Sequence, residues 1–141
     1  MHRVLILGAG KIGALISGLL GESGRYDVQL ADVDGGTAEA VVKAHGLPHL
    51  RAFALDARDK AALLRHLETH PVDAVISSLP YYCNVAVAEC ARQAGTHYFD
   101  LTEDVEVTRA VRRIADAATG GTDLPDAGTA LPAFRLLLAH S

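Results

Sequence analysis

Short apolar runs alternate along the chain with longer stretches in which apolar residues recur every three or four positions. Residues 3–7 (RVLIL) form a nearly continuous apolar run, the pattern of a strand buried on both faces of a sheet. Ile12, Leu15, Ile16, Leu19 and Leu20 then fall at helical spacing and predict a helix over 11–20, punctuated by Gly21 and Gly24. The same alternation predicts strands at 26–31, 50–55, 74–76 and 96–100, and helices at 37–44, 60–67 and 85–93. Asp59 and Asn84 stand where N-caps are needed, while Gly46 with Pro48, and later Gly95, stand where helices must stop.

A last long helix is expected over 102–118. Glu103, Asp104 and Glu106 occupy its first turn, with Arg109, Arg112 and Arg113 further on, an order that complements the helix dipole. After Gly120 and Gly121 about one strand's worth of chain remains. Regular strand–helix alternation argues α/β architecture: a doubly wound parallel sheet with right-handed crossovers and helices on both faces. The expected strand order is 3-2-1-4-5, with room for a sixth strand.

Composition narrows the functional classes. At 141 residues the chain is expected to be a single domain. Its 17 acidic and 13 basic residues give a net charge of -4, the wrong sign for a protein held to nucleic acid by phosphate contacts. No apolar run approaches the ~20 residues of a membrane span, and the opening strand-like run lacks the form of a signal peptide. A cytoplasmic protein without nucleic-acid or membrane partners is expected. Cys83 and Cys90 would lie ~10 Å apart on one helix face, beyond disulfide reach, so packed thiols are expected.

The most informative motif is Gly8-Ala-Gly10-Lys11-Ile12-Gly13. A G-x-G-x-x-G alone is weak, but this one directly follows a buried-type strand and directly opens a helix. Gly8 would permit the tight turn, Gly10 the close approach of a pyrophosphate, and Gly13 the packing of helix on strand. Asp32 ends the second predicted strand, where a carboxylate can bond the hydroxyls of an adenosine ribose. No Arg or Lys follows in Val33-Asp34-Gly35-Gly36, so NAD is expected over NADP. A tight turn beside an unrelated loop acid is the bland alternative, and the order of the parts weighs against it.

Other candidates are weaker. Asp56 ends the third strand on the edge where adenine would lie, though a turn acid before Arg58 and Asp59 is as plain a reading. Ser77-Ser78-Leu79-Pro80-Tyr81-Tyr82 follows the fourth strand, so backbone at Ser78 to Pro80 is placed to line the nicotinamide side of the crevice. Two adjacent tyrosines there favour function over a plain loop. Asp100 and Thr102 close the fifth strand, where helix capping is the simpler role, and His97 and Tyr98 are expected to be packed. His66 and His70 have metal-pair spacing, but position 67 is Leu and no third ligand stands out, so histidines near a helix C-terminus are the better account. Neither Ser77 nor Ser78 lies in a G-x-S-x-G elbow, which removes the Ser/His/Asp hydrolase reading.

The GAGKIG turn, the stretch SSLPYYCNVAVAECARQAGTHYFDLTED and their separation resemble the amino-terminal domain of the saccharopine dehydrogenase family, over roughly residues 4–118. The resemblance implies a Rossmann-like domain that binds NAD(P) for oxidation or reduction at a carbon–nitrogen bond of an amino acid. By position it assigns Gly8, Gly10 and Gly13 to the pyrophosphate, Asp32 to the ribose, and Asp56 to the adenine edge. Ser78 and Pro80 would flank the nicotinamide, with Lys11, Ile12, Val33 and Leu79 as neighbouring contacts. Tyr98, Asp100 and Thr102 fall in the block that borders the cleft towards the substrate domain. No catalytic residue is identified, and no metal site is expected.

Relatives carry a second, substrate-binding and dimer-forming domain, often of ~200 residues or more. Here residues 1–122 correspond to the NAD(P)-binding domain, and 123–141 form a degenerate tail where the second domain would begin. Gly128 and Phe134 match the family's next segment, but its cysteine is lost and the spacing slips. Binding without turnover is therefore expected, with an amino-acid substrate engaged only if a second domain is supplied. Whether the chain is an enzyme by itself stays open, as does a homodimer. The alternative is a stand-alone dinucleotide-binding or assembly module acting with a separate chain, signalled by apolar Leu131, Phe134, Leu136, Leu137 and Leu138.

Overall fold

A computed structural model describes residues 1–100, whose five strands form one parallel sheet. The elements are β1 (His2–Leu7), α1 (Lys11–Glu22), β2 (Tyr26–Asp32), α2 (Gly35–His45), β3 (Leu50–Ala54), α3 (Lys60–Thr69), β4 (Ala74–Ser77), α4 (Asn84–Ala94) and β5 (His97–Asp100). The order across the sheet is β3-β2-β1-β4-β5, as the alternation of elements implied. This is a Rossmann-like α/β fold.

Residue alternation on β1 shows why the sheet needs cover on both sides. Val4 and Ile6 point to one face and Leu5 and Leu7 to the other, and all four are buried. The first face packs against Ile16 and Leu20 of α1 and Ala38 of α2. The second packs against Leu63 and Leu67 of α3 and Val87, Cys90 and Ala91 of α4. Right-handed crossovers leaving the central strand in opposite directions put the two helix pairs on opposite faces. The register pairs Leu7 with Ala31 on one side and with Ser77 on the other, so three strands end level at one edge. That edge, between β1 and β4, is where the strand order reverses.

Several boundaries move for local reasons. α1 runs on through Gly21, where a Cβ would stand 2.9 Å from Leu47 Cδ1; the helix ends at Glu22. α2 begins two residues earlier than its apolar pattern suggests, because Asp34 caps it by accepting from the Gly36 and Thr37 amides at 3.0 and 3.4 Å. Asp59 caps α3 as expected, accepting from the Ala62 amide at 3.2 Å. Asn84 does not cap α4. It is the first residue of that helix, and its Oδ1 accepts the Ser77 hydroxyl at 2.7 Å in the buried interior.

Cys83 sits in the short 3-10 turn Tyr81–Cys83 ahead of α4 and Cys90 inside α4, and both are buried free thiols. Among the described residues no helix is long and apolar enough to cross a membrane. The helix expected over 102–118, the sixth strand, Thr102, the 1–122 boundary and the 123–141 tail lie outside the described residues.

Candidate functional site

The turn between β1 and α1 is built around its glycines. Gly8 has φ of 97°, a left-handed conformation that L side chains rarely adopt, and its amide donates to the Ala31 carbonyl at 2.8 Å. A Cβ on Gly13 would overlap the Gly8 carbonyl oxygen, so the first turn of α1 can lie against the loop only as glycine. Gly10 differs: its backbone is extended, and a Cβ there would meet nothing within 4 Å. The space above Gly10 is open, and α1 begins with no side-chain cap and no acid in its first turn. Its leading amides are thus left for an incoming acceptor, at the positive end of the helix dipole. Lys11 and Ile12 are exposed there.

Asp32 stands one strand over. Its Oδ2 accepts the Ala9 amide at 2.9 Å, and its Oδ1 accepts the Asp34 amide at 2.9 Å. The carboxylate therefore joins the end of β2 to the glycine turn and opens the β2–α2 loop. Each oxygen keeps a lone pair for a further donor. The neighbouring acid, Asp34, is occupied as the α2 cap.

Ser78 underpins the turn from the other side. Its Oγ lies 2.9 Å from the carbonyl oxygens of both Leu7 and Gly8, and its amide donates to Leu7 at 2.9 Å. The hydroxyl thus faces the glycine turn, whereas Leu79 and Pro80 line the crevice.

Beside the glycine turn a cavity of about 220 Å³ opens along the strand ends, and Gly8, Asp32, Val33, Asp56, Leu79 and Pro80 of the sequence-based set line it. Gly10, Lys11, Ile12 and Gly13 belong to the turn and α1 beside it, and Ser78 to the segment just after β4. Ala57, Arg58 and Cys83 also line the cavity and were absent from that set, as does Tyr82, 69% exposed. Arg58 carries a signal in its spacing two residues after Asp56. Its Nε and Nη2 reach Asp56 Oδ1 and Oδ2 at 3.1 and 3.4 Å, and its amide donates to Oδ1 at 3.0 Å. These bonds hold the Asp56 carboxyl below its usual pKa and push the Arg58 guanidinium up.

His66, His70 and Tyr98 are not among the residues that line this cavity. Phe53 stands edge-on to both His66 and His70, whose rings stack at 4.7 Å. His66 is buried, and its Nε2 bonds Gln29 Oε1 at 2.8 Å beneath the sheet. Burial, then His70 and Arg51, lowers the His66 pKa to about 4. Among the described residues no three or more His, Cys, Asp or Glu side chains gather as a metal site. Tyr98 packs against the α4 side of the sheet, where burial and then the Asp100 carboxylate push its pKa up.

Comparison with known proteins bears on this geometry. Residues 4–124 match the family described as "Saccharopine dehydrogenase NADP binding domain". A curated relative, the NADP(+)-dependent, L-glutamate-forming saccharopine dehydrogenase of Schizosaccharomyces pombe, is 31% identical over 97 residues. That match covers 69% of this chain and 21% of the relative. The apo L-Glu-forming saccharopine dehydrogenase of Saccharomyces cerevisiae superposes with a TM-score of 0.72 at 25% identity, over 84% of this chain and 25% of that one. The WlbA dehydrogenase of Bordetella pertussis, solved with NADH and UDP-GlcNAcA, shares the fold, with a TM-score of 0.62 at 20% identity over 84% of this chain and 33% of that one. The chain thus spans about a fifth to a quarter of the saccharopine dehydrogenases it matches. With the matched residues running through every described strand and helix, the chain belongs to the saccharopine dehydrogenase NADP-binding-domain family.

Proposed function

We propose that this domain binds NAD in preference to NADP and serves hydride transfer at a carbon–nitrogen bond of an amino acid or its imine. The observation that carries the reading is the Asp32–Ala9 bond, which fixes a carboxylate beside an uncapped, glycine-lined helix start. The residues fit a dinucleotide: the open space over Gly10 and the leading amides of α1 suit a pyrophosphate, and the Asp32 oxygens suit the ribose hydroxyls. A 2′-phosphate would meet Asp32 and its neighbour Asp34 with no cation between them in the β2–α2 loop. That supports NAD even though the family is described by NADP.

When bound, the cofactor would supply the nicotinamide ring that accepts or donates the hydride. The work of this chain's own residues is positioning. Gly8, Gly10 and Gly13 bring the backbone close, Ser78 supports the turn, and Leu79 and Pro80 form the crevice wall towards the nicotinamide. Because the chain matches only part of its relatives' length, the amino-acid site is proposed to need residues of a substrate domain. The 141 residues alone would then bind cofactor without turnover.

Calorimetric titration with NAD and NADP in both redox states tests this on the wild type and Asp32→Ala. The expected result is tighter NAD binding in the wild type, and in the variant a loss that falls on NAD while NADP gains or holds. Equal loss of both would reduce Asp32 to a support for the turn, and no binding of either by the wild type would overturn the reading.

A further inference from the structure

Asp56 stands at the end of the cavity where the purine of a bound dinucleotide would lie, yet its carboxylate is already engaged. Three contacts from Arg58 reach it: the backbone amide at 3.0 Å, Nε at 3.1 Å and Nη2 at 3.4 Å. This side-on fork holds the guanidinium and the carboxylate together as a bidentate pair. The donors of Arg58 on that edge are spent, but its planar face is not, and planar stacking is what distinguishes Arg from Lys. Arg58 lines the same cavity as Asp32, Leu79 and Tyr82. Cys83 lines that cavity as well, so Arg58 borders the crevice and not open solvent alone.

We propose that Arg58, held in place by Asp56, is the surface on which the adenine ring stacks, and that Asp56 is a positioning residue reaching the base only through Arg58. This rests on the dinucleotide reading above. It differs from an adenine-edge role for Asp56, in which the carboxylate would accept the exocyclic amine directly. It also explains how a cation can line the cavity without favouring a 2′-phosphate: the Asp56 charge balances that of Arg58, while the Asp32 charge stays unbalanced. A stacking surface reads the purine as a flat ring, so the amine should contribute little to affinity.

The test is calorimetry on the full 141-residue chain with NADH, its hypoxanthine analogue, AMP and nicotinamide mononucleotide. Arg58→Ala should weaken NADH and AMP about tenfold and leave nicotinamide mononucleotide unchanged. Arg58→Lys, which keeps the charge and loses the plane, should not restore affinity. The wild type should bind NADH and the hypoxanthine analogue within about twofold of each other, and Asp56→Asn should weaken both alike. The Arg58 side chain is 66% exposed, so unfolding curves of its variants should match the wild type. Tenfold weaker binding of the hypoxanthine analogue, or full rescue by Arg58→Lys, would overturn the proposal while leaving the dinucleotide reading intact. So would unchanged AMP binding in Arg58→Ala. A wild type that binds no dinucleotide would remove both.

Discussion

The Ser78 hydroxyl lies 2.9 Å from the carbonyl oxygen of Gly8, reaching from the end of β4 to the turn that follows β1. Its single proton is shared with the Leu7 carbonyl at the same distance. The two strands on either side of the reversal in strand order are thus joined at the level where the glycine turn begins. A Cβ on Gly8 would stand 2.8 Å from the Ser78 Oγ, so the serine and the glycine fit one another.

Ser78→Ala should therefore lower stability by about 1 kcal/mol, the net worth of one hydrogen bond lost where the surrounding groups are part-buried. Cofactor affinity should fall with it as the turn loosens, and Ser78→Thr should retain most of both. Denaturant unfolding alongside NADH titration checks this. Loss of binding with unchanged stability would instead put the hydroxyl on the cofactor itself.

Two glycines of one motif should respond in opposite ways. Gly13→Ala pushes a methyl group into the Gly8 carbonyl, and backbone cannot yield as a side-chain tip can. We expect a loss of about 3 kcal/mol, seen as a lowered unfolding midpoint. Gly10→Ala adds its methyl group to open space at an ordinary φ of -73° and should change stability by no more than about 0.5 kcal/mol. Its cost should appear only in NADH affinity, because the methyl fills the space proposed for the pyrophosphate. Equal stability losses in both variants would contradict the distinction.

Stability should depend on pH through His66. Its folded pKa of about 4 lies below the ordinary 6.5, so the unfolded chain binds the proton first as pH falls. The stability it contributes is fully present above about pH 6.5 and is lost progressively as pH falls from there to about 4. The full span corresponds to roughly 3 kcal/mol, with about 2 kcal/mol gone by pH 5. Urea unfolding at pH 7 and pH 5 measures it. In His66→Gln, where an amide replaces the imidazole beside Gln29, this part of the pH dependence should vanish.

Much of the fold was legible because its cause is local. The two-faced burial of β1 is written in the unbroken run Val4-Leu5-Ile6-Leu7, and the order of the sheet follows from alternation and crossover handedness. The glycine turn was equally legible, since the positive φ of Gly8 and the overlap of a Gly13 Cβ with the Gly8 carbonyl both arise within six residues of chain. Asn84 shows where local reading fails. Its place before an apolar helical run suits a cap, but the Ser77 hydroxyl claims its side chain.

Sequence by itself determined the elements, their order and the pairing of a glycine turn with an acid at the end of the second strand. Tertiary structure alone decided what each polar group is engaged in: Asp32 on the Ala9 amide, Ser78 under Gly8, Asp56 on Arg58, and His66 against Gln29. The reason is physical. Periodicity and steric need act over a few residues and leave their mark in the order of residue types. A hydrogen bond between side chains and distant backbone depends on how strands are laid side by side, and no spacing along the chain encodes which partner arrives first.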